Sequence, residues 1–299
     1  SKLNFKRLII SHPQMYRKEK LFEEIDRNKS VLNELRVNIT YKDLFITLLP
    51  LIPIIFFQTR PESFQQNFIL VYENLKFPNV LTQAYVHKNT AHFAGNVLMY
   101  SLLVFLIYPL AALGEFKKET NRSLLAMFLF LPILSVYINS PIVYSALNTT
   151  QGFSGIVAGL IGMLPFPILA FMKRETESIG PDYVSLVFIL GFTSILISAS
   201  RYSLEFLYWL PISGILIIVS YFSHDWSIKE VKKVIPAIDR LSTLETAILA
   251  TALVTFLIYP FWMLKANIGG GTMSNIWGHM LGYILGYSIT SFVVSIPHI

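Results

Sequence analysis

The stretch Gly152-Phe153-Ser154-Gly155-Ile156-Val157-Ala158-Gly159-Leu160-Ile161-Gly162-Met163-Leu164-Pro165-Phe166-Pro167-Ile168-Leu169-Ala170-Phe171-Met172 decides the fold. From Ile156 to Met172 it carries no charged side chain, and it is long enough to cross a hydrocarbon layer. Ser154 stands at its head. A second run, Ile276–Ile296, has a histidine at the same early place, in Gly278-His279-Met280-Leu281-Gly282. Polar and ionisable groups at membrane depth are costly and mark functional sites. A serine and a histidine are also the least that a base-activated hydroxyl nucleophile requires.

Composition agrees with the membrane reading. The chain has 299 residues, of which 54% are hydrophobic and only 14% charged. Its mean hydropathy is +0.55. A soluble domain carries about 25% charged residues, so this chain is short of solvated surface. It has no cysteine. Disulfides, cysteine-ligated zinc and a thiol nucleophile are therefore excluded. The formal net charge of +6 does not call for nucleic acid, because the basic residues crowd into connecting segments, where membrane topology accounts for them.

Eight candidate spans follow, at about 42–58, 91–113, 122–139, 154–172, 183–200, 204–222, 245–264 and 276–296. The expected fold is all-α, a polytopic membrane helical bundle. Residues 1–40 form a polar leader and 41–299 the transmembrane domain. The first and third spans are short, and Pro50, Pro53 and Pro132 are expected to kink them. No cleavable signal pattern precedes Leu44. With the N-terminus cytoplasmic, inner segments hold 19 Lys and Arg and outer segments 5, as the positive-inside rule requires. Both Ser154 and His279 then begin spans running inward from the external face.

The connections carry expectations of their own. The leader stretch Met15–Ile25 has helix formers and a narrow apolar face of Leu21, Phe22 and Ile25. That face suits a membrane surface or the protein's own cytoplasmic end, with a solvated helix as the plain alternative. Residues 59–90 read as short interfacial helices. Residues 140–153, free of Lys and Arg, lead into Gly152, and irregular backbone at that depth calls for a water-accessible cavity above Ser154.

A third polar group opens the second span, in His87-Lys88-Asn89-Thr90-Ala91-His92-Phe93-Ala94-Gly95-Asn96. His92 and Asn96 are four apart and share a helical face. Three spans thus bring polar groups to one depth. His279 is a candidate base for the Ser154 hydroxyl. The Ser154 backbone N–H, at a helix start, points at an anion. His92 and Asn96 offer further donors, each worth about 2.7–4 kcal/mol to an oxyanion. No Asp or Glu lies in these spans, so a dyad is the most the chain offers.

In these residues the chain resembles the rhomboid family of intramembrane serine proteases. The resemblance covers roughly residues 42–296 and rests on Gly152-Phe153-Ser154-Gly155, on His92-x-x-x-Asn96, and on His279 followed by Gly282-x-x-x-Gly286. His87 also falls where many members carry a histidine. The resemblance implies a rhomboid-like six-helix core with about two extra spans, in a cell membrane with the N-terminus inside. It implies acylation at Ser154 with His279 as base, and an oxyanion hole of His92, Asn96 and the Ser154 N–H. Gly152, Gly155, Gly282 and Gly286 would support it. The implied partners are single-span or multi-span membrane proteins, cleaved near the external face after a small residue, and the bilayer itself. Three features depart from the family pattern. Three spans, not one, separate Ser154 from His279. Ala158 replaces a tyrosine common four residues after the serine. The Trp-Arg pair common in the first outer loop is absent.

Plainer readings compete for each motif. Gly-x-Ser-Gly alone is common at helix packing faces. His92 and Asn96 also serve as interhelical glue, and His87 serves equally as a structural group. His12, His224 and His298 read as solvated. No metal site is expected, because no His-Glu-x-x-His or third ligand accompanies the histidines, and no cofactor is called for. Gly269-Gly270-Gly271 reads as a hinge before the histidine helix. Asn148-Thr149-Thr150 matches a glycosylation sequon by pattern. A catalytically inactive relative that binds membrane clients is the competing function. A transporter ranks lower, for want of an internal repeat. Oligomeric state is not legible in the sequence.

Overall fold

The computed structural model describes residues 13–87, 89–143, 149–176, 182–199, 208, 210–223, 236–263 and 276–296. Gly269–Gly271, Asn148, Lys88, His12, His224 and His298 lie outside them. The described chain is mostly helical. Helix α1 is Pro13–Asn38, and α2 (Tyr41–Leu48) and α3 (Leu51–Gln58) make one span interrupted at Leu49 and Pro50. The connection between the first span and the next long helix holds α4 (Glu62–Gln65), strand β1 (Leu70–Val71), α5 (Phe77–Thr82) and a final 3-10 turn (Gln83–Tyr85). Then come α6 (Thr90–Leu113), α7 (Lys117–Val143), β2 (Thr149–Thr150), α8 (Ser154–Met163) and α9 (Pro165–Thr176). Helices α10 (Asp182–Ala199), α11 (Leu210–Ser223), α12 (Thr243–Met263) and α13 (Ile276–Ser295) follow.

Four of these units are long and apolar enough to cross a membrane: Tyr41–Gln58, Thr90–Leu113, Lys117–Ile138 and Ser154–Thr176. The expected spans 183–200, 245–264 and 276–296 fall on α10, α12 and α13, and α11 covers the latter part of 204–222, of which residues 204–207 and 209 lie outside the described residues. Of these, α13 is the least simply lipophilic, because it carries glycines, tyrosines and His279 toward other helices. The third span is longer than its expected 122–139, since α7 extends from Lys117 through Pro132 without a break. One feature departs from the all-α expectation. Strands β1 and β2 pair antiparallel, with Leu70 opposite Thr150 and Val71 opposite Thr149. This short ladder ties that connection to the chain entering Gly152.

The leader docks on one end of the bundle through charge and capping. The N-terminal turn of α12 presents backbone N–H groups with no helical acceptor. Ser242 and Glu245 form a capping box, at 2.8 and 3.2 Å. Glu24 Oε1 accepts from Thr243 N–H at 2.5 Å, and Asn28 Oδ1 from Leu244 N–H at 3.0 Å. Glu34 takes both Arg174 guanidinium nitrogens, at 2.5 and 3.1 Å, and Arg174 also donates to the Leu113 carbonyl. Asp43, buried, accepts from the Thr40 N–H and hydroxyl, from Asn121 Nδ2 at 2.6 Å and from Lys117 Nζ at 3.0 Å. Lys117 donates to the Asn38 carbonyl as well. The C-terminal ends of α6 and α9 and the N-terminal ends of α7 and α12 therefore share the leader's end. The first residues of α6 and α8 lie at the opposite one.

Candidate functional site

The site is set by how closely α8 and α13 approach. Glycine removes the side chain that would hold two helices apart. A methyl carbon at Gly282 would stand 2.4 Å from the Gly155 carbonyl oxygen, and one at Gly286 would stand 2.0 Å from that of Gly159. At Gly162 it would meet the Tyr283 carbonyl oxygen at 2.0 Å. Matching 282 to 155 and 286 to 159 makes the helices parallel, so their N-termini share one end. One turn before Gly282 comes His279, and one residue before Gly155 comes Ser154. The register thus delivers the imidazole to the hydroxyl, with His279 Nε2 and Ser154 Oγ 2.8 Å apart. His279 is buried, and Ser154 is half-buried at the helix start.

The remaining contacts hold these helices in place. Tyr283 donates its hydroxyl to the Phe188 carbonyl at 2.8 Å, and its ring stacks on that of Phe188. Tyr287 stacks on Phe188 and hydrogen-bonds Ser185. Helix α13 is therefore clamped between α8 and α10. Ala158, where the family resemblance leads one to expect a tyrosine, packs against the backbone at Gly282, and a methyl there would lie 3.2 Å from its Cβ. A larger residue at 158 would meet α13 backbone. The close approach of α8 and α13 sets where the His279 imidazole stands, and no ring stacks on it among the described residues.

Gly152 approaches the serine in a left-handed conformation, φ +115°, which glycine alone adopts without strain. Its N–H donates to the Gln83 carbonyl at 2.8 Å. The His92 ring lies on it so closely that an added methyl would stand 2.7 Å from His92 Cε1. Asn89 caps α6 by accepting from the His92 N–H at 2.8 Å, and so fixes where that ring starts. His87, buried, meets His92 edge to face at 5.3 Å between centroids. Burial, and second the charge of a protonated His92, push the His87 imidazole down to about 4. Asn96 follows one turn after His92, buried, and its Nδ2 has no hydrogen-bond partner among the described residues. The same holds for His279 Nδ1. Phe153 is fully buried between Tyr85 and Tyr100 and anchors the residue just before Ser154.

The structure thus brings Ser154 against His279, and His92 against both Gly152 and His87. Gly155, Gly282 and Gly286 form the helix interface. Asn96 is placed on the His92 face, and its Nδ2 makes no hydrogen bond to Ser154 among the described residues. Sequence reasoning missed Gly159 and Gly162, although Gly155-x-x-x-Gly159 carried the same small-residue spacing as Gly282-x-x-x-Gly286. It also missed Gln83, whose backbone carbonyl left no trace in composition or spacing. No family model, curated protein or solved structure matches the chain.

Proposed function

We propose that the chain is an intramembrane serine endopeptidase of the rhomboid type. The observation that carries the reading is the 2.8 Å approach of His279 Nε2 to Ser154 Oγ at the ends of apolar helices. In the reactive tautomer Nδ1 holds the proton and Nε2 accepts from the hydroxyl. Ser154 Oγ attacks a peptide carbonyl carbon while His279 takes its proton. The carbonyl oxygen becomes an anion beside the helix-start N–H of Ser154, which has no acceptor within α8. His92, lying on Gly152, and Asn96, with its unpartnered amide, supply donors to that anion. Protonated His279 then delivers the proton to the leaving amine. A water, deprotonated by the same imidazole, hydrolyses the acyl-serine.

The substrates are transmembrane segments of single-span or multi-span proteins. An intact helix satisfies its own amides, so the cleaved segment must unwind near the membrane face at which Ser154 stands. We assign that face as external, with the leader cytoplasmic, because basic residues concentrate at the leader's end. The six-helix core comprises the α2–α3 span, α6, α7, the α8–α9 span, α12 and α13, with α10 and α11 as the additional pair. Helix α12 takes the place between the serine and histidine helices because it packs on α6, whereas α11 packs chiefly on α10. The test is incubation of the purified chain in liposomes with a panel of single-span substrates. Cleavage is expected with wild type and not with Ser154→Ala. Equal cleavage by that variant overturns the assignment.

A further inference from the structure

We infer that one face of the leader helix α1 binds the anionic headgroup surface beside the bundle, through Leu21, Phe22, Ile25 and Leu32 flanked by Lys29 and Arg36. The inference rests on the membrane placement of the spans and not on the chemistry at Ser154. The rotation of α1 is fixed by its docked contacts. Glu24 and Asn28 cap α12, Val31 is buried, Leu35 packs on the core, and Glu34 holds Arg174. At about 100° per residue, these residues occupy a single sector of the helix. The rest divides by chemistry. On one side lie Leu21, Ile25 and Leu32, then Phe22, with Lys29 and Arg36 among them. Glu19 and Glu23 lie on the side away from Leu21, Ile25 and Leu32, and Asp26, one turn from Phe22 and paired with Lys29, lies at the border.

The apolar sector is open in the folded chain, with Leu21 at 59%, Phe22 at 65%, Ile25 at 38% and Leu32 at 55% exposure. Exposing this much apolar surface beside basic residues suits an interfacial helix, whose apolar face sinks into the headgroup boundary while cations meet anionic lipid. The acidic sector then faces water. Val37 is the one apolar residue on that side in the stretch 19–38, at the helix end. Lys29 lies 3.8 Å from Asp26, but both side chains are exposed, so that pair is weak and leaves Lys29 able to turn to a phosphate. Continuity points the same way. After Asn38 the chain turns at once into α2, whose Leu44, Phe45 and Leu48 are exposed on the first span beside Lys42. The end of α1 is thus tethered at the lipid boundary.

The absence of cysteine permits a direct test on the full chain. Single nitroxide labels are placed at Leu21→Cys and Ile25→Cys on one face and at Glu19→Cys and Glu23→Cys on the other. Each protein is reconstituted in phosphatidylcholine vesicles with or without phosphatidylglycerol. Collision with oxygen, against collision with an aqueous nickel chelate, reports immersion. Labels at 21 and 25 are expected to favour oxygen and those at 19 and 23 the chelate, with the contrast growing in anionic vesicles. Lys29→Gln and Arg36→Gln should each weaken the anionic-lipid gain by about five-fold. Equal chelate access on both faces overturns the inference, as does immersion identical in neutral and anionic vesicles. Spin–spin broadening at 21 and 25 that rises with protein density would assign the face to a second copy of the chain and overturn it too.

Discussion

Gly286→Ala perturbs the helix register that creates the site, without touching either reacting group. The new methyl carbon would stand 2.0 Å from the Gly159 carbonyl oxygen and 2.5 Å from the Gly159 Cα. Both are backbone atoms, so no rotamer change relieves them. Ordinary contact begins near 3.4 Å, so α13 must withdraw from α8 by about 1.4 Å. His279 lies two turns away on the same interface. Carried to that end, the shift lengthens the 2.8 Å approach to about 4 Å, beyond hydrogen-bonding range. Misplacement of about 1 Å costs roughly 10²-fold in rate. Overpacking costs about 1–3 kcal/mol of stability, offset by up to about 1 kcal/mol for replacing a helical glycine with alanine. The assay is single-turnover cleavage of a single-span substrate beside thermal unfolding of the same preparation. Gly282→Ala, whose methyl would lie 2.4 Å from the Gly155 oxygen, should impair cleavage less than Gly286→Ala. Gly214→Ala, with nothing within 4 Å, should leave the rate unchanged. A folded Gly286→Ala protein cleaving at the wild-type rate would refute the packing argument.

Further expectations test other parts of the structure. Gly152→Ala places a side chain at φ +115° and against His92, so strain of about 1–3 kcal/mol should displace that ring. Steady-state kinetics should show kcat falling by roughly 10²-fold, as for a lost oxyanion donor, with KM little changed. His87 is neutral in the folded protein because its pKa is depressed from 6.5 to about 4. The unfolded state takes up the proton first, so stability is full above about pH 6.5 and is lost as pH falls toward 4, by on the order of 3 kcal/mol. Melting curves at acid and neutral pH should show His87→Gln losing less of its stability on acidification than wild type. Asp43→Ala removes the buried acceptor of Lys117 and Asn121, while Lys117 keeps the Asn38 carbonyl, and should destabilise by about 1–3 kcal/mol, which thermal unfolding in one detergent will read.

Helix positions were legible in the sequence because apolar runs in a membrane protein are bounded by charge and proline. The interruption at Pro50 is one case, and the coincidence of α13 with the run 276–296 is another. Ser154 and His279 stood out because each is a polar group at the head of an apolar run. Their meeting could be inferred only as permitted by topology, since a distance set by helix approach is a tertiary quantity. Gly159 and Gly162 were hidden because glycine in an apolar helix reads alike on a lipid face and at a backbone contact. The β1–β2 ladder was hidden because two-residue strands leave no period to detect. Glu24, Asn28 and Glu34 read as ordinary surface residues of a polar helix, yet their partners Thr243, Leu244 and Arg174 lie far along the chain. Their docking depends on which helix ends the fold gathers at one end, and local pattern carries no such information.

Whether His279 activates Ser154 is tested most directly by mass spectrometry after treating the full chain in liposomes with a fluorophosphonate. One adduct is expected, on Ser154, and it should be lost in His279→Ala while that variant keeps its thermal unfolding transition. A wild-type chain that stays unmodified at Ser154, or labelling there that is indifferent to His279→Ala, would contradict that activation.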